Sequence, residues 1–389
     1  MSPILAPSPF VRATVTNFFF ALAMNGFVLL PLYVQQLGGG AVEIGIVMGL
    51  YSAVGIVCQP LIGPWVDVIG RRPFMLAGVV LNLVSSLLAV LPGGVPLLAL
   101  VRAVQGIAFS MFFVASFSYV IDIIPPARRG WALGIYGVSG FVSTAVAPLF
   151  GEWIIRTLGF RALFALSAVL GLVTAALVWP VREAARHSTL PARLAPGAMQ
   201  AAVEDLLHLH MFVTMFFGLG SGTIFAFLPT FAEDLGVRTL SLFYTAYALA
   251  AIAVRIAGGR LIDTRGRRAV IVPSMFVQAA STGLLAALGA LVIRNSATPV
   301  LPSLFVAGLL SGGAHGFLYP GLAALVTDHT PAERRAAVVG LFSAMFLTGQ
   351  AAGAFAFGYV AHAAGYEAMW AALTLLLALG GVLSMRLAR

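Results

Sequence analysis

Long apolar runs separated by short polar links restrict the fold of this chain more tightly than any other feature. Hydropathy and Gly/Pro punctuation place twelve runs, at 10–37, 41–66, 72–92, 95–122, 130–157, 160–181, 206–233, 238–262, 268–293, 300–328, 334–362 and 366–386. An α-helix crosses a bilayer with about 20 such residues. Soluble domains carry about 25% charged residues; here the share is 9%, against 60% hydrophobic. Lipid must therefore be the solvent for most of the chain. In lipid every backbone donor and acceptor has to be satisfied internally, which leaves helices or closed barrels. The runs lack the alternation of barrel strands, so the sequence predicts an all-α membrane protein with twelve transmembrane helices.

A net charge of +9 raises the question of nucleic-acid binding, but the basic residues are scattered through the links between runs and make no continuous face. With both termini placed in the cytoplasm, fifteen arginines fall on that side and four (Arg156, Arg161, Arg238, Arg294) on the other. This is the positive-inside asymmetry. Trp131, Trp153 and Trp179 fall near helix ends, where an interfacial aromatic belt belongs. The single cysteine, Cys58, excludes an intramolecular disulfide and a cysteine-based metal site. The first ten residues lack the basic n-region of a cleaved signal peptide, so the first helix is expected to stay as its own insertion signal. The expected location is the bacterial plasma (inner) membrane, multi-pass, with the lipid bilayer as the main partner of a monomer.

The chain is also duplicated. Gly63-Pro-Trp-Val-Asp67-Val-Ile-Gly70-Arg71-Arg72 returns as Gly259-Arg-Leu-Ile-Asp263-Thr-Arg-Gly266-Arg267-Arg268, a shift of 263 − 67 = 196. Asp122-Ile-Ile-Pro125-Pro-Ala-Arg128-Arg129 matches Asp328-His-Thr-Pro331-Ala-Glu-Arg334-Arg335, and Gly159-Phe160 matches Gly365-Tyr366. Six helices per copy is an even number, so both copies keep one orientation and are parallel repeats about an axis along the membrane normal. The expected division is a six-helix bundle over 1–181, a cytoplasmic linker over 182–205, and a second six-helix bundle over 206–389.

The Gly-x-x-x-Asp-x-x-Gly-Arg-Arg loop, present in both halves, resembles the signature of the major facilitator superfamily. Arg102-Ala-Val-Gln105-Gly106 is similar to that family's Arg-x-x-Gln-Gly element in helix 4. Gly134, Gly137, Gly140, Pro148 and Gly151 resemble its helix 5 glycine-proline pattern in exporters. Gly312-Gly-Ala-His315-Gly316-Phe-Leu-Tyr-Pro320 is similar to helix 10 of arabinose-efflux-like permeases. The resemblance implies a secondary transporter working by alternating access. It also implies a cytoplasmic gate: Asp67 facing the start of helix 11 near Arg334, Arg71 or Arg72 pairing with Asp122, and the mirrored set of Asp263 near helix 5 with Arg267 or Arg268 on Asp328. Gly137, Gly140, Pro148 and Gly151 would let helix 5 bend where the halves meet.

Arg102 and Arg255 lie inside apolar runs, at a cost of at least ~2.5–3.5 kcal/mol near a helix centre. Such groups usually face a cavity and have a partner. Counted from the helix ends, Arg102 and Glu152 share the outer half of the bilayer. The expectation is an ion pair that protonation of Glu152 weakens; the other reading leaves Glu152 idle among the headgroups. Arg255 stands eight residues before Asp263, as Gln59 stands eight before Asp67, and could meet a substrate anion, a buried acid or a helix end. His315 reads as a packing residue or as a titrating one. Asn17 and Asn25 in helix 1, with Gln105, Thr223 and Gln350, are candidates for the cavity wall or for glue between helices.

No phosphate-binding loop, metal-ligand cluster or hydrolase elbow appears in the sequence. The expected function is export of a small solute by proton antiport, with no cofactor beyond the coupling ion. Uptake or facilitated diffusion of a sugar or organic anion is the second reading, and a non-transporting receptor or scaffold the third.

Overall fold

The computed structural model describes residues 8–125, 128–182, 208–237, 239–294, 299–328 and 335–387. Among these, twelve helices form and no strand. The first repeat holds α1 (Pro9–Gln36), α2 (Ala41–Ile69), α3 (Arg71–Val90), α4 (Val95–Ile123), α5 (Arg129–Leu158) and α6 (Phe160–Val178). The second holds α7 (Leu209–Asp234), α8 (Ser241–Arg265), α9 (Arg267–Arg294), α10 (Val300–Asp328), α11 (335–364) and α12 (366–384). The expected linker falls almost wholly outside the described residues.

The helix ends follow local chemistry. Glycines with positive φ turn the chain between helices, at Gly70 (121°) and Gly266 (83°) and again at Gly159 (83°) and Gly365 (81°). Only a residue without Cβ takes this conformation cheaply, and the four fall at corresponding junctions of the two repeats. Inside α1, Pro31 has no N–H to offer the Phe27 carbonyl. That carbonyl takes the Leu30 N–H instead, and Gly26–Leu29 tightens into a 3-10 turn. The sequence predicted an unbroken helix there.

Large apolar side chains point outward. Ile256 is 74% and Leu375 72% exposed, an arrangement that only a hydrocarbon solvent tolerates. Between helices, small residues allow close crossings, as expected where lipid supplies no hydrophobic drive. On α7 a Cβ at Gly218 or Gly222 would strike the α11 backbone at Phe346 or Gln350. Reciprocally, Gly349 and Gly353 on α11 face the α7 backbone at Met215 and Leu219. Gly222→Ala is therefore expected to destabilise the folded protein by about 1–3 kcal/mol. Gly313→Ala, which opens into free space on α10, should not. Equal thermal unfolding of the two variants in detergent would refute this account of the crossing.

The repeats meet along α2 with α11 and α5 with α8. The arginine-rich loops, with Arg71, Arg72, Arg265, Arg267 and Arg268, share one end of the bundle, called here the basic end.

Candidate functional site

A cavity of about 270 Å³ lies between the repeats, walled by α1, α2, α4 and α5 on one side and α7, α8, α10 and α11 on the other. The same four positions of each repeat supply it. Its walls are mostly aromatic and apolar, including Tyr51, Phe141, Phe225, Tyr247 and Phe346, with Asn25, Ser52, Arg102, Thr144, His315 and Gln350 as polar points. Few polar groups on an apolar wall is the usual composition of a small-molecule site.

Arg102 is only 7% exposed. Its guanidinium donates to Gln105 Oε1 at 3.0 Å and sits 4.4 Å above the Tyr51 ring, while its Nε is buried with no partner. Arg255 stacks 4.7 Å over Phe141, against the space left by Gly137, and its Nε is likewise unpartnered. The helix 5 glycine that the sequence assigned to bending thus makes room for a guanidinium from the other repeat. His315 is enclosed by Phe141, Phe217, Tyr247, Tyr319 and Phe346, with Nδ1 buried and unbonded.

The expected Arg102–Glu152 pair does not form. Depth along a helix was counted correctly, but rotation about the axis turns the two groups apart. Arg102 faces α2, and Glu152 faces α8. The Glu152 carboxylate accepts from the Ser241 backbone N–H at 2.8 Å and from its hydroxyl at 2.9 Å. A carboxylate at the first turn of a helix meets unpaired amides and the positive end of the dipole, worth about 0.3–1 kcal/mol and up to ~2 when partly buried. The contact joins the two repeats at the end opposite the arginine loops.

Other contacts close that same end. Asp234, at the end of α7, lies beside Gln35 at the end of α1. Gly45 on α2 lies against the α11 backbone at Ala354 and Gly358. Deeper, Ser52 bonds Gln350 at 3.1 Å and Ser343 bonds Gln59 at 2.6 Å, both between α2 and α11. Gln59 and Arg255, eight residues before the motif aspartates, thus reach across the interface from matching places. Toward the basic end, Gly63, Gly134 and Gly340 have no neighbour within 4 Å of where a Cβ would stand.

At the basic end, Arg71 rather than Arg72 pairs with Asp122, at 3.0 Å, and also with Asp67 at 3.0 Å and the Val66 carbonyl. Arg72 lies over Trp179 instead. The mirrored contact is Arg267 with Asp328 at 3.0 Å. Asp67 is 62% exposed and paired with Arg71 of its own repeat; the side chains at the start of α11 near Arg334, which it was expected to face, lie outside the described residues. Arg334 lies outside the described residues, as do the side chains of Asp263, Arg129 and Arg335 and the surroundings of Gly259. Arg268 borders a surface hollow with Arg265 and Arg267, and Arg128 is exposed at the start of α5.

Asn25 lines the cavity while donating to Ser143 and Thr144 on α5; Asn17 donates to Ser139 two turns below. Both therefore bind α1 to α5. Thr223 bonds back to its own helix at Leu219. In α5, Pro148 lies inside a continuous helix and Gly140 faces open space, while Gly151 packs on Leu29 and Leu163. Tyr51, Phe141, Tyr247 and Phe346 were not anticipated, because an aromatic ring in an apolar run carries no contrast.

A family model described as Major Facilitator Superfamily matches residues 13–210 and again 210–389. The multi-drug resistance efflux pump PmrA of Streptococcus pneumoniae is 25% identical over 365 residues, covering 90% of this chain and 88% of its own. The staphylopine export protein of Staphylococcus aureus is 23% identical over 381 residues, covering 93% and 91%. Among solved structures, a mutant of the nucleoside transporter NupG superposes with a TM-score of 0.77 at 14% identity, covering 97% of this chain and 99% of that one.

Proposed function

This chain belongs to the major facilitator superfamily, and we propose that it exports a small solute in exchange for protons by alternating access. The observation that carries the proposal is a cavity between the repeats with a carboxylate, Glu152, among the contacts that close one end. The basic end is read as cytoplasmic from the arginine asymmetry. On that reading the cavity is shut off from the outside, and cargo enters it from the cytoplasm. Export as the direction is supported by the two relatives named as an efflux pump and an export protein.

The clasp supplies a route for coupling. When the outer end opens, Glu152 leaves Ser241 and meets the external water, where it takes a proton. As the end closes, burial disfavours the bare carboxylate, so a proton travels inward with it, and the first turn of α8 holds the carboxylate once that proton has left. The proton is released toward the cavity, which Thr144 lines eight residues earlier on the same side of α5. Cargo binding from inside then has to supply the energy that reopens the clasp.

Purified protein in proteoliposomes tests this reading. An imposed pH gradient is expected to drive candidate solutes against their concentration difference. Equilibration that ignores the gradient points instead to facilitated diffusion, and no flux of any solute points to a receptor or scaffold on this fold.

A further inference from the structure

Among the described residues the charged groups set deepest in this bundle are both cationic, and no described acid is placed to neutralise them. Arg102 stands seven residues into α4 and Arg255 fourteen into α8. Among the described residues every acid lies near a helix end. The deepest of them, Glu152, is six residues from the end of α5 and is occupied by Ser241. Each arginine has a neutral aromatic ring under its plane and a buried Nε without a partner. A buried charge of this kind persists where something else brings the countercharge.

We propose that the missing countercharge is the cargo: a small organic acid, bound as its carboxylate, with an aromatic or otherwise flat apolar body. Arg102 lines the cavity and presents a planar fork that matches a carboxylate in two parallel hydrogen bonds. Asn25 and Ser52 on the same side, and Gln350 on the facing one, are further polar contacts. Phe141, Tyr247, Phe225 and Phe346 give faces and edges for a flat body. Arg255, behind Phe141, adds positive potential from the second repeat. A volume near 270 Å³ lies at or below the lower end of the ~300–1,000 Å³ typical of drug-sized ligand sites. The proposal rests on the transporter reading of the cavity and narrows it to one sign of charge.

The test uses the full chain in nanodiscs of phosphatidylcholine, which adds no anionic lipid. Thermal unfolding is followed with benzoate, salicylate and indole-3-acetate, with the neutral amides of the same acids, and with benzyltrimethylammonium. A saturable upward shift is expected with the acids and not with the amides or the cation. Arg102→Gln should weaken the apparent affinity for the responding acid at least ~tenfold, and Arg161→Gln, exposed at the start of α6, should leave it unchanged. If Arg102→Gln does not fold, the sign preference of the unaltered protein decides. Preference for the cation, an equal response to acid and amide, or no response to any acid overturns the proposal. Gradient-driven efflux of a cation would overturn it while leaving the transporter reading intact. Anion binding without gradient-driven flux would do the reverse.

Discussion

Joining Gln35→Cys to Asp234→Cys with a short bifunctional thiol reagent should abolish transport, and a reducing agent should restore it. The two positions end α1 and α7 and lie side by side at the closed end of the bundle. A covalent strap there holds the cavity away from that side, so a carrier that must open both ends in turn stops. The background is clean once Cys58, the single cysteine, is replaced by serine. Each single cysteine, treated alike, should keep its activity. Full transport by the strapped protein would show that this end need not open, and alternating access would have to be given up.

Glu152→Gln should uncouple the pH gradient from solute movement. Glutamine fills the same space and still accepts from Ser241, but it carries no charge toward the start of α8 and no exchangeable acid proton. A gradient of one pH unit is worth about 1.4 kcal/mol per proton, enough for about tenfold accumulation of solute in one-for-one exchange. With the membrane potential clamped, the unaltered protein should approach that ratio and the variant should stay near unity. Counterflow of labelled solute in the variant should persist, since that exchange needs no net proton movement. Ser241→Ala removes one of the two bonds and should fall between. Tenfold accumulation by the glutamine variant would move the coupling site elsewhere.

The scaffold was legible because lipid demands continuous apolar runs and because the duplicated motifs mark equivalent loops. Gly70 and Gly266, or Gly159 and Gly365, fall where the repeat places them, and Arg71–Asp122 with Arg267–Asp328 form as the resemblance implied. A further pair, Gly38 and Gly236, turns the first loop of each repeat at a shift of 236 − 38 = 198; it stood in the sequence unread. What could not be read is which way a membrane helix faces. In water an apolar stripe reports the buried side, but in lipid both sides are apolar. That is why Arg102 and Glu152 were paired by depth though they look toward different helices, and why Tyr51 and Phe141 passed unnoticed. A carboxylate at a helix start in the other repeat occurs at the far end, with Glu152 and Ser241.

Guanidinium groups do not lose their proton in proteins. With Arg102 and Arg255 as its deepest charges, the cavity keeps the same sign whatever the acidity on either side. If Glu152 carries the proton and the arginines hold the cargo, as proposed, the two have separate addresses and do not compete directly. On the proposed reading, acidity would set how often the carrier turns over and in which direction, and would not change the charge the two arginines present to the bound molecule.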